Sequence, residues 1–263
     1  IRLLWKSTDC RILRCRSCGL RFAWPFVSGD ASFYNLAYPH SDYPTQRWEF
    51  EVTTQTLAAH LPLHGQVLEI GSGFGHFLRR TSPRFVAPEQ VVAVEYNDVA
   101  RKHLHEQGFK ASGVDIRNAV HDGLRGQLSA VFMFQVIEHM DDLGRLTRRL
   151  GELTRPGADI FMAVPNPDRI AFNESHSSLR DMPPNHISIW TETAFHALAA
   201  RAGAKGDQVL PLLALVQPHI AGVSRLGAVR SGRHDEAVGL ADLPVKTTHT
   251  LAAGPFTAKP PDA

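Results

Sequence analysis

The sequence predicts an α/β fold: a doubly wound, mainly parallel sheet with helices on both faces, preceded by a small cysteine hairpin. Three observations predict it. Short apolar runs alternate with helical stretches from residue 67 to residue 216, the pattern of consecutive strand–helix units. The run LSAVFMFQV (128–136) is apolar throughout its centre, as a strand covered on both faces should be. A glycine-rich turn follows the first apolar run, at the place where such a sheet brings its backbone close to a ligand.

Each element has its own signal. Residues 10–24, CRILRCRSCGLRFAW, alternate apolar and basic positions around Cys15-x-x-Cys18-Gly19, which predicts a strand, a tight knuckle and a second strand. Residues 25–46 are rich in Pro, Tyr, Ser and Asp and read as a linker lying on the surface of something else. From about Thr45 to Leu61 the pattern is helical, with Trp48, Val52 and Leu57 or Ala59 on one side, until Pro62 and Gly65 stop it. Val67–Ile70 is the first strand of the sheet, and a helix carrying Phe77 and Leu78 starts near Gly75. VVAVEY (91–96) is the second strand; Asn97 or Asp98 caps a helix through Gln107 that Gly108 ends. Phe109–Val114 is a weaker third strand, and 128–136 the fourth. Asp141 or Asp142 caps a helix whose Leu143, Leu146, Leu150 and Leu153 fall at helical spacing. Pro156-Gly157 turns the chain into the fifth strand, DIFMAVP (159–165). Thr191 caps a helix through Ala202 that Gly203 closes, and QVLPLLALV (208–216) is a sixth strand, placed at an edge by Pro211. Residues 223–263 hold one aromatic, Phe256, and much Ala, Gly, Thr and Pro; they read as a loosely structured or disordered tail. The expected division is hairpin and linker at 1–45, the main domain at 46–222, and the tail at 223–263.

Composition bounds the partners. A formal net charge of +2 over 263 residues supplies no strong field for nucleic acid. No apolar stretch approaches the roughly 20 residues that span a bilayer, so no membrane partner is expected. Residues 1–20 scatter five Arg or Lys where a signal peptide would have an apolar core. Three cysteines, all within residues 10–18, are not a disulfide framework, and the expected location is the cytoplasm. Ile1 in place of Met reads as the start of a fragment or a processed product.

The turn in VLEIGSGFGHF (67–77) admits three readings. A phosphate-binding P-loop needs a Lys after its glycines, and none follows. A dinucleotide fingerprint, Gly-x-Gly-x-x-Gly from Gly71 and Gly73, would need glycine at position 76, where His76 stands. The pattern Glu-x-Gly-x-Gly-x-Gly is complete in Glu69, Gly71, Gly73 and Gly75, with Ser72 between. An acid at the strand end suits a cationic amino group, and the turn then admits an adenosine bearing an amino acid, S-adenosylmethionine. Glu95 ends the next strand, 20 residues after Gly75, where a carboxylate can accept both hydroxyls of a ribose.

Here the chain resembles a family, the class I SAM-dependent methyltransferases, in the branch that includes ubiquinone-biosynthesis O-methyltransferases. The resemblance covers about residues 46–205. FQVIEHM (134–140) looks like that branch's signature after strand four, with its Glu138-His139 pair. RPGADIFMAVPNPD (155–168) and PPNHISIWTETAFHALAARAGA (183–204) are similar to its segments around strand five and its late Pro-x-His helix. The resemblance implies a Rossmann-like sheet and methyl transfer to a small-molecule acceptor. It assigns Glu69 and the glycine backbone to the methionine end of the cofactor, Glu95 to the ribose and Tyr96 to the adenine face. Gln135 lies under the cofactor, and Asp115 is the candidate acid for the adenine amino group. His139 and His186 are the natural general bases for a hydroxyl acceptor. His139 can equally be a helix cap, and Glu138 a loop anchor.

Cys15 and Cys18 make half of a zinc knuckle. Relatives often carry an earlier Cys-x-x-Cys, which here would precede Ile1; zinc is expected only with such a pair, and two unpaired thiols are the alternative. Branches with a cysteine-rich lobe include enzymes of sugar and polysaccharide pathways, while others methylate quinone precursors or natural products. Two rival functions stand beside methyl transfer. An NAD-dependent sugar-nucleotide enzyme is disfavoured by His76 and by the lack of a Tyr-x-x-x-Lys pair. A nucleic-acid module on the hairpin, or an RNA methyltransferase, draws on Arg11, Arg14, Arg16 and Arg21.

Overall fold

The computed structural model describes residues 9–38, 44–59, 63–203, 208–215 and 246–256. The main sheet begins with β3 (Gln66–Ile70) and continues through β4 (Val91–Val94), β5 (Lys110–Ser112), β6 (Leu128–Phe134) and β7 (Thr154–Val164). Those five strands are parallel, in the order β5-β4-β3-β6-β7. Parallel pairing requires a crossover between strands, and the helices α3 (His76–Thr81), α4 (Asp98–Glu106) and α5 (Leu143–Leu153) supply three of them. The sheet is extended beyond β7 by β10 (Lys246–Phe256) and then β9 (Gln208–Leu215), both joined by antiparallel pairing.

The expectation for the C-terminal residues is corrected here. Lys246–Phe256, read from sequence as part of a loose tail, is a strand between β7 and β9, with Thr250 opposite Val164 and Phe256 opposite Ala158. Its Thr-rich start has β propensity, but the Ala-Ala-Gly-Pro that follows has little. Long-range pairing with β7 decides the outcome. β9 takes the edge that Pro211 predicts.

Side-chain alternation builds two cores on one sheet. Along β6, Val131 and Met133 face the layer of α5, with Leu146, Leu150 and Leu153. Ala130, Phe132 and Phe134 face the opposite layer, with Phe77 and Leu78 of α3, Leu104 of α4 and Phe50 and Leu57 of α2 (Trp48–Ala59). This period of two, apolar on both faces, makes the whole of β6 buried. The caps follow the expected chemistry. Asn97 accepts from Ala100 N at 2.9 Å, Asp142 from Arg145 N at 3.2 Å and Thr191 from Ala194 N at 3.2 Å, the last opening α7 (Glu192–Arg201). β7 starts earlier than expected, at Thr154, with the exposed Pro156-Gly157 inside it opposite a register shift in β6.

The hairpin joins the main body. β1 (Arg11–Arg14) pairs with β2 (Arg21–Trp24), and β2 pairs with β8 (Ser188–Ile189), a short strand between the Pro-x-His segment and α7. Two helices have no counterpart in the sequence reading. α1 (Ala31–Ala37) lies within the presumed linker, capped by Asp30, whose carboxylate accepts from Phe33 N at 2.9 Å. α6 (Pro167–Ser175) follows β7, capped by Asn166 with Pro167 in the first turn. Among the described residues no helix is long and apolar enough to cross a membrane.

Candidate functional site

One cleft of about 970 Å³ opens at the carboxyl ends of β3, β4 and β6, where open α/β sheets place their ligands. The turn after β3 forms its floor. Gly71, Gly73 and Gly75 have φ of 72°, 50° and 72°, a region that side chains resist. A Cβ on Gly71 would lie 2.4 Å from Val136 Cγ2, and one on Gly75 would lie 2.7 Å from Leu104 Cδ2. The glycines therefore serve both the turn and its packing. Gly71, Ser72 and Gly73 line the cleft, whereas Gly75 packs behind it at the start of α3.

Two acids stand over this turn. Glu95 Oε2 accepts from Gly73 N at 2.7 Å and Oε1 from Asn97 N at 2.8 Å, so one carboxylate ties the second strand end to the glycine loop. Glu69 is 3% exposed and its Oε2 has no hydrogen-bond partner. Burial pushes its carboxyl well above the ordinary range, and the Glu95 charge adds to the rise. A buried acceptor without a donor is a destabilising feature that a cationic ligand group would relieve. Tyr96 lines the cleft and its hydroxyl donates to Asp115 Oδ2 at 2.8 Å. Asp115 itself sits behind Tyr96. Burial raises its carboxyl, but hydrogen bonds from Arg117 outweigh burial and hold it below the usual value. Arg117 also donates to Asp141 Oδ1 at 2.9 Å, linking the third strand's loop to the turn after β6.

That turn carries the other half of the site. Gln135 has φ of 59°; its N donates to Ala163 O at 2.7 Å and its Nε2 to Glu49 Oε1 at 3.3 Å. His139 shares a hydrogen bond of 2.6 Å between Nδ1 and the Asn185 carbonyl, so Nδ1 carries the proton and Nε2 the lone pair. Its ring meets His186 edge-on, with centroids 4.6 Å apart. Burial, and then the neighbouring His186, push the His139 imidazolium down to about 3. Burial likewise pushes His186 down to about 4, against the pull of Asp181, whose Oδ1 is 3.4 Å from His186 Nδ1. Glu138 lies beneath them at 1% exposure, with both carboxylate oxygens unpartnered, and burial pushes it up to about 8. The donor atoms of Glu138, His139 and His186 lie within 4.8 Å of one another, close enough for a divalent cation to take all three.

The structure thus brings Glu69, Gly71, Ser72, Gly73, Glu95, Tyr96, Gln135, His139 and His186 to one cleft, with Asp115 and Glu138 packed against its walls. Cys15 and Cys18 lie apart, in the hairpin turn beside Thr191. Cys15 Sγ is 3.1 Å from Ser17 Oγ, a hydrogen bond that heads the causes lowering its thiol to about 6. Sequence reasoning missed the roof. Tyr34 and Tyr38 of the α1 segment line the cleft, the Tyr34 ring 5.9 Å from both Tyr96 and His139. Tyr38 donates to Asn185 Oδ1 at 2.6 Å and accepts from Asn97 Nδ2 at 3.0 Å, closing the roof over both halves. The Asp30 cap and the Tyr34/Tyr38 spacing of one helical turn could have revealed it. Arg47, Arg169 and Asp181, also at the cleft, had no motif to announce them.

Known proteins resemble the chain in sequence and in fold. A family model described as a methyltransferase domain matches residues 46–209. The chain is 30% identical over 132 residues to the ubiquinone biosynthesis O-methyltransferase of Methylocella silvestris, a match covering 48% of this chain. It spans about half the length of that relative, 50%. A SAM-dependent methyltransferase from Archaeoglobus fulgidus superposes with a TM-score of 0.55 at 16% identity, covering 85% of this chain and 98% of its own. A methyltransferase solved with the Haloferax volcanii Trm112 methyltransferase activator gives 0.61 at 11% identity, covering 86% and 96%. These two show the shared fold. The matched methyltransferase domain spans more than half of the chain and contains the complete glycine turn: the chain belongs to the class I S-adenosylmethionine-dependent methyltransferases.

Proposed function

We propose that the chain transfers a methyl group from S-adenosylmethionine to a hydroxyl of a small-molecule acceptor. One observation carries this reading: one cleft has the glycine turn with its two acids at one end and a half-buried histidine pair at the other. In the reading, the unpartnered Oε2 of Glu69 receives the cofactor's amino group and Arg47, which lines the same end, its carboxylate. Glu95 accepts the ribose hydroxyls, and Tyr96, held by Asp115, flanks the adenine with Gln135 below.

The sulfonium supplies the activated methyl group, so the protein's task is positioning and water exclusion. Holding the acceptor oxygen in line behind the methyl carbon can contribute about 7–11 kcal/mol. As the O–CH3 bond forms and the S–CH3 bond breaks, the hydroxyl proton passes to Nε2 of His139 or to His186. Burial keeps both imidazoles neutral and able to accept, but weakly basic. Asp181 beside His186, and Glu138 once ionised, supply the negative charge that steadies the imidazolium. A second reading rests on the unpartnered oxygens of Glu138: with His139 and His186 they would hold a divalent cation, which lowers the pKa of a bound hydroxyl.

Residues of α1 and of the segment 179–186 line the cleft opposite the glycine turn, which supports a small acceptor over a polymer. Calorimetric titration with S-adenosylhomocysteine and with NAD tests the cofactor assignment. Binding of the first and not the second is expected, with a melting temperature that rises with ligand; a ligand at 100 times its Kd adds about 2.7 kcal/mol.

A further inference from the structure

The histidine end of the cleft carries charge that the methyl transfer itself does not use. Arg169 of α6 and Arg180 of the following loop both line it. Among the described residues Arg169 pairs with one acid, Asp181, whose side chain is 7% exposed and already shared. Its Oδ1 faces Arg169 Nη2 at 3.3 Å and His186 Nδ1 at 3.4 Å, while Oδ2 accepts from Asn173 Nδ2 at 3.1 Å. Arg169 Nε is buried without a hydrogen-bond partner. Arg180 makes no ion pair among the described residues. Two arginines therefore line the cleft with a single ion pair, that of Arg169 with Asp181, among the described residues. Tyr34, Tyr38, Leu179 and Met182 line the same cleft and add aromatic and apolar side chains to it.

We propose that Arg169 and Arg180 bind an anionic group of the methyl acceptor, a carboxylate or a phosphate, so that the acceptor is an acid or phosphate ester. Planar guanidinium forks match both groups in two-point contacts, which is why arginine fits here where a lysine would serve only as a point charge. Asp181 then orients Arg169 and leaves its Nε for the ligand. The anion is anchored at one end of the acceptor, and the reacting hydroxyl is held toward His139 and His186. The inference rests on the methyl-transfer reading above.

The test uses the whole chain saturated with S-adenosylhomocysteine, in EDTA so that no cation mediates binding. Benzoate, phenyl phosphate and benzyl alcohol are titrated in turn and followed by calorimetry. Both anions, or the one of the two that the acceptor carries, should bind at least about tenfold tighter than the alcohol. The ratio of benzoate to phenyl phosphate then distinguishes carboxylate from phosphate. Arg180→Gln, an exposed position, and the double variant with Arg169→Gln should bring the anions down to the alcohol's level with S-adenosylhomocysteine affinity unchanged. Equal binding of all three probes overturns the proposal, as does anion binding that survives Arg180→Gln and the folded double variant. Should S-adenosylhomocysteine bind while neither anion does, the anion subsite alone fails. Should S-adenosylhomocysteine itself not bind, the cofactor reading fails first and takes the subsite with it.

Discussion

The two ends of the cleft are built by different means. At the glycine end the ligand-facing groups come from the carboxyl ends of β3 and β4 and the turns after them, and backbone conformation does most of the shaping. At the histidine end they are side chains from α1, the turn after β6, α6 and the loop before β8. The first end is one strand–turn–helix unit repeated, with the acid of one unit tied to the amide of the other. The second converges from segments more than a hundred residues apart in sequence, such as Tyr38 and Asn185. Such a difference teaches where change can come: the glycine end can hardly vary without losing its turn, whereas the histidine end can exchange side chains on a fixed scaffold.

The comparison is broken most directly by exchanging effects between the ends. His139→Ala should lower turnover by about 10²–10⁴-fold while S-adenosylhomocysteine affinity holds, since a positioned base contributes on that scale. Single-turnover methylation and calorimetry on one preparation decide it. Normal turnover in a folded variant removes His139 from the chemistry. Gly73→Val should do the reverse and weaken the cofactor by about 100-fold or more. At φ of 50° a β-branched residue is strained, and the amide that Glu95 holds must move. Unchanged affinity would make the turn a mere connection.

Stability against pH sharpens the contrast. Glu138 is pushed up to about 8 from 4.5, so the folded protein keeps a proton that the unfolded chain releases in between. The folded state then binds more protons, and stability should fall as pH rises from about 4.5 to about 8. His139 and His186, pushed down from 6.5, act below that value: the unfolded chain takes up protons there, and stability falls as pH drops. In EDTA, Glu138→Gln should flatten this decline, worth roughly 2–4 kcal/mol once relaxation is allowed for. Restoring magnesium or manganese should flatten it in the unchanged protein if the three donors hold a cation. A decline identical with and without the substitution would show that Glu138 is ordinary in the folded state.

How much was legible follows the same division. The alternation of strands and helices, the caps at Asn97, Asp142 and Thr191, and the acids at both strand ends are local facts, written within a few residues of where they act. The Tyr34–Tyr38 roof was misread as linker because a seven-residue helix carries too short a period to stand out. β10 was misread because its stability comes from β7 and β9 rather than from its own composition. Asp181 and Arg169 had no pattern at all: their meaning lies in each other, and a sequence does not record that meeting. The resemblance named Glu138 and His139 but gave no hint that both oxygens of Glu138 lie unpartnered.

The smallest expected effect tests whether the two ends are joined through the roof. Tyr38 touches both: its carbonyl accepts from the Asn97 side chain, whose own backbone amide donates to Glu95, and its hydroxyl donates to Asn185, whose carbonyl holds His139. Tyr38→Phe removes the hydroxyl and leaves the ring and the backbone contact. The lost hydrogen bond corresponds to about 0.5–1.5 kcal/mol. If that loss is felt in the placement of His139, turnover should fall by roughly two- to tenfold with cofactor affinity unchanged, since the Asn97 contact is made by the main chain. If the roof only excludes water, the variant should instead raise the Michaelis constant for the acceptor at constant turnover. A fall in cofactor affinity alone would show that α1 belongs to the glycine end, and that the division between the ends lies elsewhere in the cleft.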